Sequence, residues 1–464
     1  MKKEKKSILN DDYILEKPRR IPVLVKTDVA VAGGGVAGIA AAVAAARNGA
    51  KTILIEANGF LGGTATAVPM NWFGAYVPAL HKGIMKEFLD RLEKKNGIIQ
   101  KFFNPVTNGW LIGFSVDRFK MLAAEMLEEA GAKLLLHAWI ADAVVKDRAL
   151  KGVIVESKSG REAVLAKIVI DATGDGDVAA RAGCAYEIGR ESDGQTQGMT
   201  LTGPIMEGVN TRKLWNFMRA YRRKHPDEIL EFIDDRLPFF VASGFKSMLK
   251  NARKKGDLHF DYDTVWINGR LGTDKGEIDG SFVANVDGTN ARDLTLAETE
   301  SLKQLASLEA FARKYIPGFE KGKILDRRGW VSVGVRETRR ITGDYLLTEE
   351  DVRRAKKFPD AIARNLAPID IHAPEGQRFT TLKKAYDIPY RCLTPKGWEN
   401  ILVAGRCISV THEALASTRY MPCCIAVGEA AGTAAALAAK SKTALRKVNV
   451  QRLKKTLKKQ NAAT

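Results

Sequence analysis

At 464 residues, with 45% hydrophobic and 27% charged side chains, the chain has room for two or three domains and the balance of an ordinary globular protein. Lys and Arg (73) outnumber Asp and Glu (54) for a net charge of +19, but much of the surplus sits in the terminal runs KKEKK, KPRR and RLKKTLKKQ, which read as solvated tails rather than as a nucleic-acid surface. The five cysteines, Cys184, Cys392, Cys407, Cys423 and Cys424, lack CxxC spacing and argue against a disulfide framework or a zinc site. The basic start is followed by no signal-like apolar stretch, so a cytoplasmic location is expected.

The first patterned segment is VAVAGGGVAGIAAAVAAA (29–46), which contains no polar side chain. Its length would suit a membrane span, yet it is built of Ala and Gly rather than Leu, Ile and Phe. Its character also changes along its length: DVAVA is a short strand, three glycines make a turn, and VAGIAAAVAAAR is an Ala-rich helix. Gly33-x-Gly35-x-x-Gly38 therefore falls at a strand-to-helix junction. The first glycine of such a loop permits the turn, the second admits a pyrophosphate close to backbone, and the third lets helix pack on strand. The helix N-terminus then faces the negative charge. Gly34, Val36 and Ala37 complete the loop. TILIE (52–56) is the next strand, and Glu56 at its end is placed for a ribose hydroxyl. An acid there disfavours a 2′-phosphate, hence NADP. Gly62, Gly63 and Thr64 in GFLGGTAT offer a second close backbone approach.

Further along, VDRFKMLAAEMLEEAGA predicts a helix capped by Asp117 and stopped by Gly131. KLLLHAWIADAVVKD and LKGVIVESKSGREAVLAKIVIDATG predict a meander of short strands. Gly174, Gly176 and Ala179 formally repeat the glycine pattern, but Asp175 and Asp177 would face phosphate with like charge, which argues against a separate NAD loop. From about 186 to 326 aromatic and basic helical stretches (KLWNFMRAYRRKH) mix with strands such as DTVWING, and Thr295-x-x-Glu298 predicts the capping box of a long helix. GWVSVGVRETRRITGDYLLTEEDV, ENILVAGRCIS and the Ala-rich PCCIAVGEAAGTAAALAAK then return to the earlier style. The expected organisation is an α/β chain whose nucleotide domain, 28–185 and 327–445, combines a parallel sheet with an antiparallel meander. An α+β substrate domain, 186–326, interrupts it, with a basic extension at 1–27 and a basic tail at 446–464.

VAGGGVAGIAAA, LIEANGFLGGTAT, VIDATGDGDVAARAG, VGVRETRRITGDYLLTEEDV and DIPYRCLTPKGWENILVAGRCISVTHEALASTRYMPCCIAVGEAAG together resemble flavoproteins of the glutathione-reductase-like FAD fold. Within these they resemble the bacterial FAD-dependent oxidoreductases, over about 28–439. The resemblance implies a Rossmann-like domain with FAD as cofactor. It implies Gly405 and Arg406 beside the ribitol and pyrophosphate, although disulfide reductases of the wider fold carry Asp where Arg406 stands. It also implies a closing helix begun by Met421, Pro422 and Cys423, with Pro422 suited to the first turn, whose free N–H groups point toward the flavin. Ala57, Ile140, Ala172, Thr173, Gly174 and Asp177 are counted with the cofactor set. No CxxxxC pair follows LGGT and no convincing second dinucleotide loop is present. Electrons are therefore expected to pass between a bound small molecule and an unidentified external acceptor or donor.

Flavin chemistry asks the protein for placement, a proton-transfer group and positive potential. His412, in SVTHEALASTR, is the candidate acid or base and equally a candidate structural histidine. Arg419, Arg336 and Arg340 are candidates for gripping a carboxylate, with Arg336 and Arg340 sharing a face if RETRR is a strand; the alternative pairs them with Glu337 and Asp344. His81, His137, His225, His259 and His372 are scattered without metal-ligand spacing, and no metal is expected. The expected activity is that of an FAD-dependent oxidoreductase acting on a CH–OH or CH–CH bond of a small organic substrate, anionic in one version, by hydride transfer at flavin N5. The second expectation is a flavoprotein that acts on RNA, of the tRNA-modification type, for which the net charge and WNFMRAYRRKH speak.

Overall fold

In the computed structural model the apolar run at 29–46 divides into the strand Val23–Ala32, a tight turn and the helix Val36–Arg47. The residues described are 14, 16, 18–68, 70–147, 149–201, 205–233, 238–325 and 332–464. KKEKK and the expected domain junction at 326/327 lie outside them.

Val23–Ala32 lies inside a seven-stranded sheet, next to Thr52–Ile55 and then Lys133–Leu135 on one side and Gly160–Asp171 on the other, all parallel. The 12-residue strand Gly160–Asp171 has two partners on its far edge. Its first half continues antiparallel into Ala149–Ser157 and Trp139–Lys146, while its last residues pair in parallel with Ile401–Val403. The α/β class and its antiparallel meander are thus present, and the sheet brings residues from both ends of the chain together at its carboxyl edge.

The helix Met421–Ser441 packs against Val36–Arg47, and composition explains how closely. A Cβ added at Gly428 would lie 2.1 Å from the Ala37 carbonyl oxygen, and one at Gly432 would lie 2.0 Å from that of Ala41. Gly428 and Gly432 are one turn apart on one face, so helix backbone meets helix backbone, as in small-residue membrane contacts. Among the described residues Met421–Ser441 is long and apolar enough to cross a membrane, but it is buried along most of its length in this core.

A second core gathers residues between Met199 and Val333 around a six-stranded antiparallel sheet. Its central strands are Phe239–Gly244, Val265–Arg270 and Lys275–Asp279, with Ile229–Ile233 at one edge. Phe240, Ala242, Val265, Ile267 and Ile278 face the helices Thr211–Lys224, Lys246–Lys254 and Ala291–Tyr315. Alternation turns their neighbours to the opposite face. The aromatics of KLWNFMRAYRRKH, Trp215, Phe217 and Tyr221, pack in or against this core, which accounts for their spacing.

Several expectations are corrected. Ser115, not Asp117, caps the helix Val116–Ala130, its side chain accepting from the Arg118 N–H, while Gly131 does end it. The long helix begins at Ala291, capped by Asn290, four residues before the expected box. Thr295 lies inside the helix, bonded to the Ala291 carbonyl, and Glu298 accepts from Ser332 and Val333. Residues 23–27 belong to the first strand rather than to an extension. The expected tail contains the helix Val450–Lys459, held by the buried Leu453 and Leu457.

Candidate functional site

The floor of the site is made of backbone. A Cβ at Gly33 would meet the Ala172 carbonyl at 2.5 Å, and one at Gly38 would lie 1.8 Å from the Gly33 carbonyl, so the first and third glycines are demanded by packing of the chain on itself. Gly35 is different: a Cβ there would enter open space, with no atom within 4 Å. Gly35 is the N-cap of Val36–Arg47 and no side chain caps that helix, so its first N–H groups have no helical partner. Gly62 donates to the Gly34 carbonyl and folds the second loop against the first. Glu56 is fixed at the edge: Oε2 accepts the Gly34 N–H at 2.6 Å, and Oε1 accepts both N–H groups of Asn58 at 2.8 Å.

The sheet's carboxyl edge closes the floor. Asp171 accepts from the Thr173 N–H and hydroxyl and the Ala179 N–H, and burial pushes its carboxyl up to about 6 against those bonds. Asp175, whose charge opposes a phosphate at this loop, pairs with Arg406 at 2.8 Å. Arg406 Nη1 is buried without a partner among the described residues. Asp177 points away, paired with Arg339 and Arg181.

These parts open on one cavity of about 470 Å³. Gly33, Gly35, Val36, Ala37, Glu56, Gly62, Gly63, Thr64, Ala172, Thr173, Gly174, Gly405, Arg406 and Met421 all line it, which brings most of the expected cofactor residues to one place. Gly34, Gly38, Ala57, Ile140, Asp177, Pro422 and Cys423 do not line it; Cys424 and Asn58 do. Open space above Gly35, an uncapped helix start, the oriented Glu56 carboxylate and the unpartnered Arg406 nitrogen suit a dinucleotide's pyrophosphate and ribose.

Beyond the floor the cavity passes under the six-stranded sheet, its roof. Cross-strand neighbours share a face, and the register runs Glu231, Ser243, Trp266, Asp279 in one row and Val241, Asn268, Glu277 in the next. Apart from Ser243, each lines the cavity, and so does Phe239. Trp72, Phe102 and Phe239 form an aromatic wall with ring centroids 5.1 to 6.4 Å apart.

At the far end Arg336 Nη1 donates to the Gly198 carbonyl (2.8 Å) and the Thr200 hydroxyl (2.6 Å). Arg419 is paired instead, with Asp370 at 3.1 Å. His372 lies between two partners: Nε2 is 3.1 Å from Asp370 and Nδ1 3.1 Å from the Tyr262 hydroxyl. Burial, with the Arg336 charge, pushes the imidazole down to about 4, so it is neutral near pH 7. Burial works to raise the Asp370 carboxyl, but His372, Arg419 and Gln377 outweigh it and hold it well below the usual carboxylate range. Tyr420, the N-cap of Met421–Ser441, also lines this end, and burial with the nearby Asp370 charge keeps its hydroxyl protonated.

His412 and Arg340 are not brought to the cavity. His412 is 3% exposed with Nδ1 2.8 Å from Glu337 Oε2, and Arg340 bonds to Glu337, the Gly189 carbonyl and the Val410 carbonyl. Both belong to a buried knot that ties three loops together, which corrects the catalytic expectation for each. RETRR is not a strand: only Arg340–Ile341 pairs, so Arg336 and Arg340 diverge. Sequence reasoning missed Asp370, His372, Tyr420 and Glu231. The alternation in IDIHA puts Asp370 and His372 on one face and was a usable signal; Glu231 had none.

A family model described as FAD dependent oxidoreductase matches residues 28–457. Among curated proteins, a thiamine thiazole synthase of Sulfolobus acidocaldarius is 31% identical over 167 residues, 34% of this chain and 58% of that protein. That of Methanococcus vannielii is 28% identical over 159 residues, 32% and 57%. The chain thus spans less than two thirds of the length of these relatives. Among solved structures, a geranylgeranyl bacteriochlorophyll reductase-like protein of Thermoplasma acidophilum aligns over 94% of this chain and 83% of its own, with 15% identity and a TM-score of 0.47. GidA of Aquifex aeolicus aligns over 90% and 64%, with 15% identity and a TM-score of 0.46.

Proposed function

Because the chain belongs to the FAD-dependent oxidoreductase family and uses FAD, we propose that it exchanges a hydride with a CH–OH or CH–CH bond of a small organic molecule whose anionic group lies against Arg336. In this reading the N–H groups at the start of Val36–Arg47 and Arg406 hold the pyrophosphate, Glu56 holds a ribose, and Gly405 and Met421 border the rest of the cofactor. The bound flavin supplies hydride exchange at N5. The second core forms the substrate domain and the seven-stranded sheet, from Val23, the nucleotide domain; an electron acceptor or donor outside the chain completes the cycle, and a cytoplasmic location goes with the reading.

The observation that carries it is Arg336. Among the described residues this cavity-lining guanidinium has no ion-pair partner, and only Nη1 is hydrogen-bonded. Burial and the Arg419 charge push its pKa down against the more distant Asp370 and Asp279 charges, yet a guanidinium keeps its proton and has room for a counter-charge in direct contact. A substrate carboxylate supplies one bidentately. Tyr420, protonated, can donate to a substrate oxygen from the same end, taking the place expected of His412. His372 is pinned at both nitrogens and positions Asp370 and, through it, Arg419.

Anaerobic bleaching of the flavin across hydroxy acids and unsaturated acids tests the reading. A substrate acid should reduce the wild type, and Arg336→Lys should raise its apparent Kd by about tenfold or more with little change in the limiting reduction rate. Substrates lacking an anionic group that reduce the wild type faster than any acid, with no dependence on Arg336, would overturn it.

A further inference from the structure

The roof is chemically unlike the Arg336 end, and the contrast narrows the substrate. Glu231 is set by the register on the cavity face of the sheet. Its Oε1 accepts the Asn104 amide at 2.6 Å, and its other oxygen has no partner among the described residues. The Trp72, Phe102 and Phe239 wall lines the same cavity, with Phe239 and Glu231 on one face of the sheet and Asn104 two residues from Phe102 on the strand Ile98–Asn104. Trp266, in the next strand of the row, presents a further aromatic ring. A carboxylate beside aromatic faces is the setting in which a cation is attracted twice, by charge and by ring quadrupole. The Asp370–Arg419 pair is neutral as a unit, which leaves Arg336 as the unpaired cation lining the same cavity among the described residues.

Resting on the reading of Arg336 given above, we propose that the substrate also carries a protonated amine, received by Glu231 and the aromatic wall, so that the site is built for an amino acid or a related amine-bearing acid. The amine is a recognition group, and the bond oxidised is the one already proposed. Burial holds the Glu231 carboxyl above its ordinary value, as expected of an acid whose counter-charge arrives with the ligand.

The test is perturbation of the visible flavin spectrum of the FAD-loaded, anaerobic protein by three chain-matched series of two to six carbons: ω-amino acids, ω-hydroxy acids and unsubstituted alkanoates. At least one amino acid should bind about tenfold or more tightly than both its partners. Glu231→Gln should cut that preference to about twofold or less while leaving alkanoate affinity in place, and Glu231→Asp should restore part of it. Hydroxy acids or alkanoates binding as tightly as every matched amino acid would overturn the proposal on the wild type alone, whatever the folding of the variants. Arg336-dependent binding of alkanoates without an amino preference would sink only the amine. Failure of every acid to perturb the flavin, with Arg336→Gln indistinguishable from wild type, would sink the reading of Arg336 as well.

Discussion

The floor of the cavity presents backbone to whatever it holds, and the roof presents side chains. At the floor, glycines are spaced so that strand, turn and two helices approach within carbonyl contact: Gly38, Gly428 and Gly432 are set by carbonyl oxygens about 2 Å from where a Cβ would be, while Gly35 keeps open space. At the roof, the sheet's backbone is occupied by its own ladder, and chemistry depends on which side chain alternation turns downward. A backbone-built surface tolerates almost no change in size but fixes a ligand common to many substrates. A side-chain-built surface can be rewritten residue by residue without moving the chain.

The largest effect should come from breaking the floor's packing. Gly432→Leu places a side chain where the Ala41 carbonyl stands, and loss of soluble, flavin-bearing protein is expected, equivalent to more than about 4 kcal/mol of destabilisation. Thermal unfolding of any recovered protein checks it. Gly35→Val separates packing from recognition. Space exists for the new side chain and φ is −69°, so folding should change by no more than about 1 kcal/mol. The purified protein should nevertheless hold under about a tenth of the wild-type FAD, because the side chain stands where pyrophosphate approaches. Wild-type yellow colour in Gly35→Val would break the assignment of the floor.

A smaller effect is electrostatic. Glu429, on the closing helix, accepts the Ile84 N–H at 3.0 Å, and burial pushes its carboxyl up to about 7. A carboxyl raised by folding holds its proton more tightly folded than unfolded, so its contribution is intact below about pH 4 and is lost as pH rises through 7. Stability measured by urea unfolding should fall by roughly 2–3 kcal/mol from this group over that span, and Glu429→Gln should flatten the profile. The smallest change in rate is expected from His412→Gln. Flavin reduction should stay within about threefold of wild type, because the histidine serves the Glu337 knot rather than the cavity, where a lost acid or base would cost about a hundredfold or more.

The same division decided what could be read from the sequence. The glycine spacing, the acid ending the second strand and the Ala-rich closing helix all announce backbone contacts, and such contacts demand particular small residues at fixed intervals. The roof announces less, since Glu231 reaches the cavity through the register of its strand on Phe239–Gly244, and neither strand carries a motif that marks one face. RETRR would have put Arg336 and Arg340 on one face had it been a strand, but Glu337, buried among Gln197, Arg340 and His412, fixes its path by tertiary contacts. Asp117 and Thr295 were plausible caps displaced by Ser115 and Asn290, each of which meets an N–H that the predicted residue does not.

The pairing of Val36–Arg47 with Met421–Ser441 has a consequence for how the protein is made. The first helix leaves the ribosome long before its partner, and at ordinary rates of synthesis the interval between residues 47 and 441 is roughly 20–80 s. Through that time the Ala-rich helix has no backbone surface to dock on, and Met421, Gly405 and Arg406 have not joined the cradle. Cofactor loading therefore waits for the closing helix, and a nascent polypeptide interrupted before that helix would emerge colourless.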